Sequence, residues 1–175
     1  MTPAYPLNRV ASLTGRSLPD IELTATRGGS VNLSRLSGVT VVYTYPRTSP
    51  PNEPAIEGWS EIPGAKGCTP QSCGFRDHFA DLSNAGATHV FGLSTQTTEY
   101  QQEAVSRLHL PFPLLSDAQL ILQQSLDLPV FEAAGLTLLH RVTLIIRDGV
   151  IEKVFHSITD PATNAADVLG YLTDG

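Results

Sequence analysis

Two cysteines, Cys68 and Cys73, stand five residues apart in Gly67-Cys68-Thr69-Pro70-Gln71-Ser72-Cys73-Gly74-Phe75-Arg76-Asp77, and the chain has no others. They open a segment that reads as a helix, directly after a stretch rich in proline and glycine. A thiol at a helix N-terminus faces unpaired N–H groups and the positive end of the helix dipole, which favour a nucleophilic thiolate. In a reducing compartment a close cysteine pair is more often catalytic or metal-binding than structural. Zinc would need two further ligands at suitable spacing, and no paired-histidine motif supplies them. The histidines at 78, 89, 109, 140 and 156 are scattered. His78 lies ten residues beyond Cys68 on the same helix, too far for a Cys–His dyad, and reads as a surface histidine.

The elements around the pair place it at the end of a strand. Val39 to Tyr45 is β-branched and aromatic throughout, which predicts a buried strand punctuated by Gly38 and Pro46. Residues 47–67 carry four prolines and three glycines and predict a long loop, with Trp59 as its anchor. A helix is expected from about Pro70 to Ser83, with Thr69 as N-cap and Pro70 first; Phe75, Phe79 and Leu82 form its apolar face. His89–Ser94 predicts a second buried strand. Residues 97–108 predict a helix, Leu110–Leu115 a short extended piece, and 118–126 a helix capped by Asp117. Arg141–Arg147 and Val150–His156 flank Asp148-Gly149 and predict a hairpin. A final helix covers 164–172, and a first hairpin pairs 20–24 with 30–33. Strands alternating with helices, closed by an antiparallel hairpin, predict an α/β fold with a mixed sheet.

Length and composition set outer bounds. A chain of 175 residues predicts one domain. Its 41% hydrophobic and 16% charged content is ordinary for a globular protein. A formal net charge of −6 argues against nucleic acid as the main partner. No apolar run approaches the roughly 18 residues of a membrane span, and residues 1–12 do not read as a secretory signal. A cytoplasmic location is expected.

Six stretches, taken in order, resemble the peroxiredoxins of the bacterioferritin-comigratory or peroxiredoxin Q type. They are Gly15–Leu23, Gly28–Gly38, Val41–Pro46, Gly67–Asp77, Phe112–Asp117 and Arg141–Ile145. The resemblance covers nearly the whole chain. It implies a thioredoxin-like fold, a mixed central sheet flanked by helices. It implies reduction of hydrogen peroxide or organic hydroperoxides, without a cofactor or metal. Cys68 takes the place of the peroxidatic cysteine, Cys73 of the resolving cysteine, Arg141 of the active-site arginine and Pro46 of the active-site proline. A thioredoxin- or glutaredoxin-type donor would recycle the disulfide, in a monomer or weak dimer. Two departures stand out. The family's threonine three residues before the reactive cysteine is Ala65 here, with Thr48, Ser49 and Thr69 as substitute hydroxyls. The proline stands far upstream, because 47–67 is inserted.

The implied cycle makes physical demands. A thiolate attacking an O–O bond becomes a sulfenic acid. Positive charge and donors must hold the thiolate and the leaving oxygen; helix amides and Arg141 would supply both. Gln71, one turn beyond Cys68, reads as an anchor for the loop or the arginine, or as an ordinary first-turn polar residue. Residues five apart on an intact helix differ by about 7.5 Å of rise and roughly 140° of rotation. A disulfide needs Cα atoms within about 7 Å, so oxidation should unwind residues 68 to 75. Pro70 and Gly74 ease that opening. Two other functions use the same residues: a thiol–disulfide oxidoreductase, disfavoured because the spacing is not Cys-x-x-Cys, and a peroxide sensor.

Overall fold

The computed structural model describes residue 10 and residues 12–48, 68–156, 158 and 160–174. Most of the inserted loop, with Ser49, Trp59 and Ala65, lies outside the described residues. Nine strands and five α-helices are described: β1 (Glu22–Ala25), β2 (Ser30–Asn32), β3 (Val39–Thr44), α1 (Cys68–Asp77), α2 (Phe79–Asn84), β4 (Ala87–Ser94), α3 (Thr98–Leu108), β5 (Leu114–Ser116), α4 (Ile121–Leu126), β6 (Val130–Ala133), β7 (Leu136–Leu139), β8 (Val142–Arg147), β9 (Val150–Phe155) and α5 (Asn164–Asp174).

Seven strands form one mixed sheet in the order β2-β1-β5-β4-β3-β8-β9. The central pairs β3–β4 and β4–β5 are parallel, as their helical crossovers require, and the β3–β8 and β8–β9 pairs are antiparallel. Alternation along the central strands sends side chains to two cores. Val39, Val41, Tyr43 and Ile145 meet Phe75, Leu82, Ala104, Ala165 and Val168 on the face covered by α1, α2, α3 and α5. Val42, Leu144 and Ile146 meet Leu122 and Leu126 of α4 on the other. The expected hairpin closes through Asp148 and Gly149, both at positive φ (50° and 82°), as a tight right-twisted connection needs.

Several boundaries differ from the sequence expectation. Cys68–Asp77 is helical, so Thr69 lies inside the helix and is not the N-cap. Pro70 is tolerated there because the first N–H groups of a helix have no intrahelical acceptor. The expected single helix to Ser83 divides at His78, where φ is −97° and ψ 5°. There the His78 Nδ1 lies 3.0 Å from the Gly74 carbonyl, which also accepts from the His78 backbone N–H at 3.0 Å, and the residue is half-buried rather than on the surface. The fourth helix starts at Ile121, after a left-handed Leu120, yet Asp117 does cap it, accepting from the Leu122 and Gln123 amides at 3.0 and 2.8 Å. The extended piece forms a strand only at Leu114–Ser116. A separate hairpin, β6–β7, was not expected; its turn uses Ala134 and Gly135 at φ 51° and 76°.

Candidate active site

The register of β3 on β8 builds the site. Thr44 pairs with Val142, which sets Arg141 level with Tyr45 at the end of β3, one residue before Pro46. Arg141 precedes Thr143 and Ile145 by even steps, so it faces the side of the sheet that α1 covers. Cys68, in the first turn of α1, is buried there at 5% exposure, as is Arg141. The Arg141 Nη2 donates to Cys68 Sγ at 3.5 Å. A permanent cation thus touches a nearly solvent-free sulfur in the first described turn of α1.

The guanidinium is itself held. Its Nη1 donates to Gln71 Oε1. Gln71 Nε2 donates to Asn164 Oδ1 at 3.1 Å, and Thr143 Oγ1 donates to the same oxygen at 2.7 Å. Gln71 and Thr143 are wholly buried and Asn164 is 1% exposed, so these bonds form with little competition from water. The chain of contacts runs from α1 through β8 to the first residue of α5.

Aromatic packing supports α1 from below. The Tyr43 ring stacks on Phe75, with centroids 4.5 Å apart and planes at 3°, and meets Phe112 edge-on at 5.9 Å. Tyr43 Oη shares a 3.0 Å hydrogen bond with Ser72 Oγ. Burial pushes the phenols of Tyr43 and Tyr45 well above their usual range, so both stay neutral beside the thiol. Gly92 of β4 makes room for this stack: a Cβ there would lie 2.5 Å from Leu114 Cδ2 and 2.8 Å from Tyr43 Cζ. Gly74 lets α1 approach the turn at Pro161–Thr163, where a Cβ would meet the Ala162 carbonyl at 3.0 Å. Arg76 Nη1 donates to the Leu108 carbonyl at 2.8 Å and ties the last turn of α1 to the end of α3.

The structure thus brings Cys68, Gln71 and Arg141 together. Cys73 is a free, half-buried thiol on the same helix, packed at the edge of the aromatic core. Pro46 is buried at the exit of β3. Thr48 is directed elsewhere: its N–H donates to Gln96 Oε1 at 2.9 Å and its carbonyl accepts from Gln96 Nε2 at 2.7 Å. Among the described residues no group of three or more His, Cys, Asp or Glu is placed to hold a metal ion. Sequence reasoning did not single out Asn164, Thr143, Tyr43 or Ser72. Asn164 reads as a helix start and Thr143 as a β-branched strand residue; only the lone hydroxyl inside Val-Thr-Leu-Ile hinted at a buried partner.

A thioredoxin-like sheet with a cysteine in the first turn of a helix and an arginine on its sulfur defines a thiol-based redox protein. The redoxin family profile matches residues 13–169. The chain is 30% identical over 177 residues to a chloroplastic peroxiredoxin Q of Sedum lineare, covering 98% of this chain and 86% of that one. It is 29% identical to a putative peroxiredoxin bcp of Coxiella burnetii, covering 90% of this chain and 97% of that one. It spans 65% of the length of the rice chloroplastic peroxiredoxin Q, to which it is 29% identical over 160 residues and which covers 90% of this chain. Peroxidoxin BcpB of Mycobacterium tuberculosis superposes with a TM-score of 0.73 at 25% identity, over 92% of this chain and 96% of that one. The chain belongs to the redoxin family, among the peroxiredoxins of the Q and bacterioferritin-comigratory type.

Proposed function

We propose that this protein is a two-cysteine thiol peroxidase acting on hydrogen peroxide and organic hydroperoxides. The observation that carries the reading is the Arg141 Nη2 contact on the buried Cys68 sulfur, 3.5 Å long, at the start of a helix. The Cys68 thiolate attacks the nearer peroxide oxygen; the S–O bond forms as the O–O bond breaks. The leaving oxygen departs as hydroxide or alkoxide, takes a proton and becomes water or an alcohol. Arg141 donors stabilise the charge that moves onto that oxygen. Cys68 is left as a sulfenic acid.

Cys73 then attacks the sulfenic sulfur, forms a disulfide and releases water. Both cysteines lie within the ten-residue α1, so the spacing argument applies to the folded helix, and the first turns must unwind for the bond to form. A thioredoxin- or glutaredoxin-type dithiol in the cytoplasm returns the protein to its reduced state. No helix among the described residues is long and apolar enough to cross a membrane.

The test is intact mass and free-thiol count after one equivalent of hydrogen peroxide, for the native chain and for Cys73→Ser. The native chain should lose two hydrogens and both thiols. The variant should hold a sulfenic acid on Cys68. A sulfenic acid on Cys68 in both proteins would show that Cys73 does not resolve it. Two unreacted thiols would overturn the peroxidase reading.

A further inference from the structure

We infer that Asn164, the first residue of the C-terminal helix α5, is a positioning residue for the Arg141–Cys68 pair and acts through the side-chain amide of Gln71. The inference rests on the peroxidase reading only for its effect on peroxide; the alignment of Arg141 on the sulfur is independent of it.

The argument is one of donors and acceptors. A guanidinium can only donate. The group facing Arg141 Nη1 must therefore accept, which fixes Gln71 with Oε1 toward the arginine. Its Nε2 then points away and needs an acceptor, because Gln71 is wholly buried. Asn164 Oδ1 supplies it at 3.1 Å. The Thr143 hydroxyl donates to the same oxygen at 2.7 Å and holds the Asn164 amide in place. The alternative orientation of Gln71 would set an N–H₂ against a permanent cation and an oxygen against another oxygen. Asn164 thus closes a one-way relay, with Arg141 at one end and the Thr143 hydroxyl at the other.

Removing the Asn164 acceptor leaves Gln71 Nε2 unpaired in a dry site. The amide then shifts or turns to find a partner, and Arg141 loses a fixed acceptor on the side opposite the sulfur. The guanidinium is less well aligned on Cys68. The Asn164 amide oxygen bonds Gln71 and Thr143 and not the sulfur, so its effect passes through Gln71.

The experiment uses the full chain carrying Cys73→Ser, so that one thiol is read. The pH profile of Cys68 alkylation by iodoacetamide is measured first, then the second-order rate of its oxidation by hydrogen peroxide. Asn164→Ala should move the alkylation midpoint upward by about half a unit, roughly threefold in thiolate fraction. It should slow oxidation about tenfold, a fraction of the 10²–10³ seen when an oxyanion donor is removed outright. Gln71→Ala should do the same, and the double variant should be no slower than Gln71→Ala alone, because both substitutions cut one relay. Asn164→Asp keeps an acceptor oxygen in place and should restore oxidation to within about threefold of the parent.

Three results would overturn the inference: an Asn164→Ala protein with the parent's profile and rate, a double variant whose loss is the product of the two single losses, or Asn164→Asp as slow as Asn164→Ala. If Asn164→Ala does not fold, Thr143→Val frees the same amide, and an unchanged profile in that variant overturns the inference equally. A parent whose Cys68 alkylates but does not react with peroxide would refute the peroxidase reading, while the alkylation profiles would still decide the role of Asn164.

Discussion

Replacing Tyr43 with phenylalanine should speed the second half of the cycle and leave the first half unchanged. The substitution keeps the stack on Phe75, at 4.5 Å and 3°, and removes only the 3.0 Å bond to Ser72 Oγ. Ser72 is 1% exposed in folded α1, so its hydroxyl loses that partner where water cannot replace it. Once α1 unwinds, water reaches the hydroxyl and the loss disappears. The folded helix is therefore destabilised relative to the unwound one by about 1 kcal/mol, the net worth of one buried hydrogen bond. At room temperature that is roughly a fivefold gain in the unwound population. If unwinding precedes attack by Cys73, disulfide formation should accelerate about fivefold, and overoxidation of Cys68 by excess peroxide should fall by a similar factor. Rapid-quench alkylation followed by intact mass separates the sulfenic acid, disulfide and sulfinic acid populations over time. Arg141 and Gln71 do not contact the Tyr43 hydroxyl, so the peroxide step should keep its rate. An unchanged rate of disulfide formation in a folded Tyr43→Phe protein would refute the claim that opening α1 limits resolution.

Arg141→Met should lower the rate of Cys68 oxidation by about 10²–10³, measured by stopped flow, because the donor on sulfur and leaving oxygen is lost. Gly92→Ala should destabilise the protein by about 1–3 kcal/mol in urea unfolding, since its Cβ would press on Leu114 at 2.5 Å and on the Tyr43 ring at 2.8 Å. In the oxidised protein, hydrogen exchange should rise over residues 68–77 and also over the start of α5, which loses its bond from Gln71. Burial holds the His140 imidazole below its ordinary value of 6.5. The unfolded chain then binds a proton in the window just below pH 6.5 that the folded protein refuses, so His140 contributes a loss of stability as pH falls through that window. His140→Gln should flatten this slope in unfolding curves taken between pH 7 and 5.5.

Much of the frame was legible because it rests on local pattern. The β-branched run at 39–45 had to be a buried central strand, and Asp148-Gly149 between two apolar runs had to be a hairpin turn. The β6–β7 hairpin escaped because Ala134-Gly135 is a weaker turn signal than Asp-Gly, and its strands are only four residues each. The helix carrying the cysteines was placed nearly correctly, but its cap was misassigned. Thr69-Pro70 looks like a helix start in isolation; the tertiary structure already holds Cys68 in the helix, two residues before Pro70.

The sequence alone determined where the two thiols stand: at a fixed spacing within one short helix, too far apart to join while it stays helical. That follows from chain geometry within ten residues and needs no knowledge of the rest. Tertiary structure decided what Cys68 meets. Arg141 reaches Cys68 across 73 residues because the antiparallel register of β8 on β3 sets it level with Tyr45. Asn164 reaches Gln71 across 93 residues because α5 packs back over α1, where Gly74 permits close approach. Local periodicity carries the direction a side chain faces, but only packing of distant elements fixes which buried donor finds which acceptor.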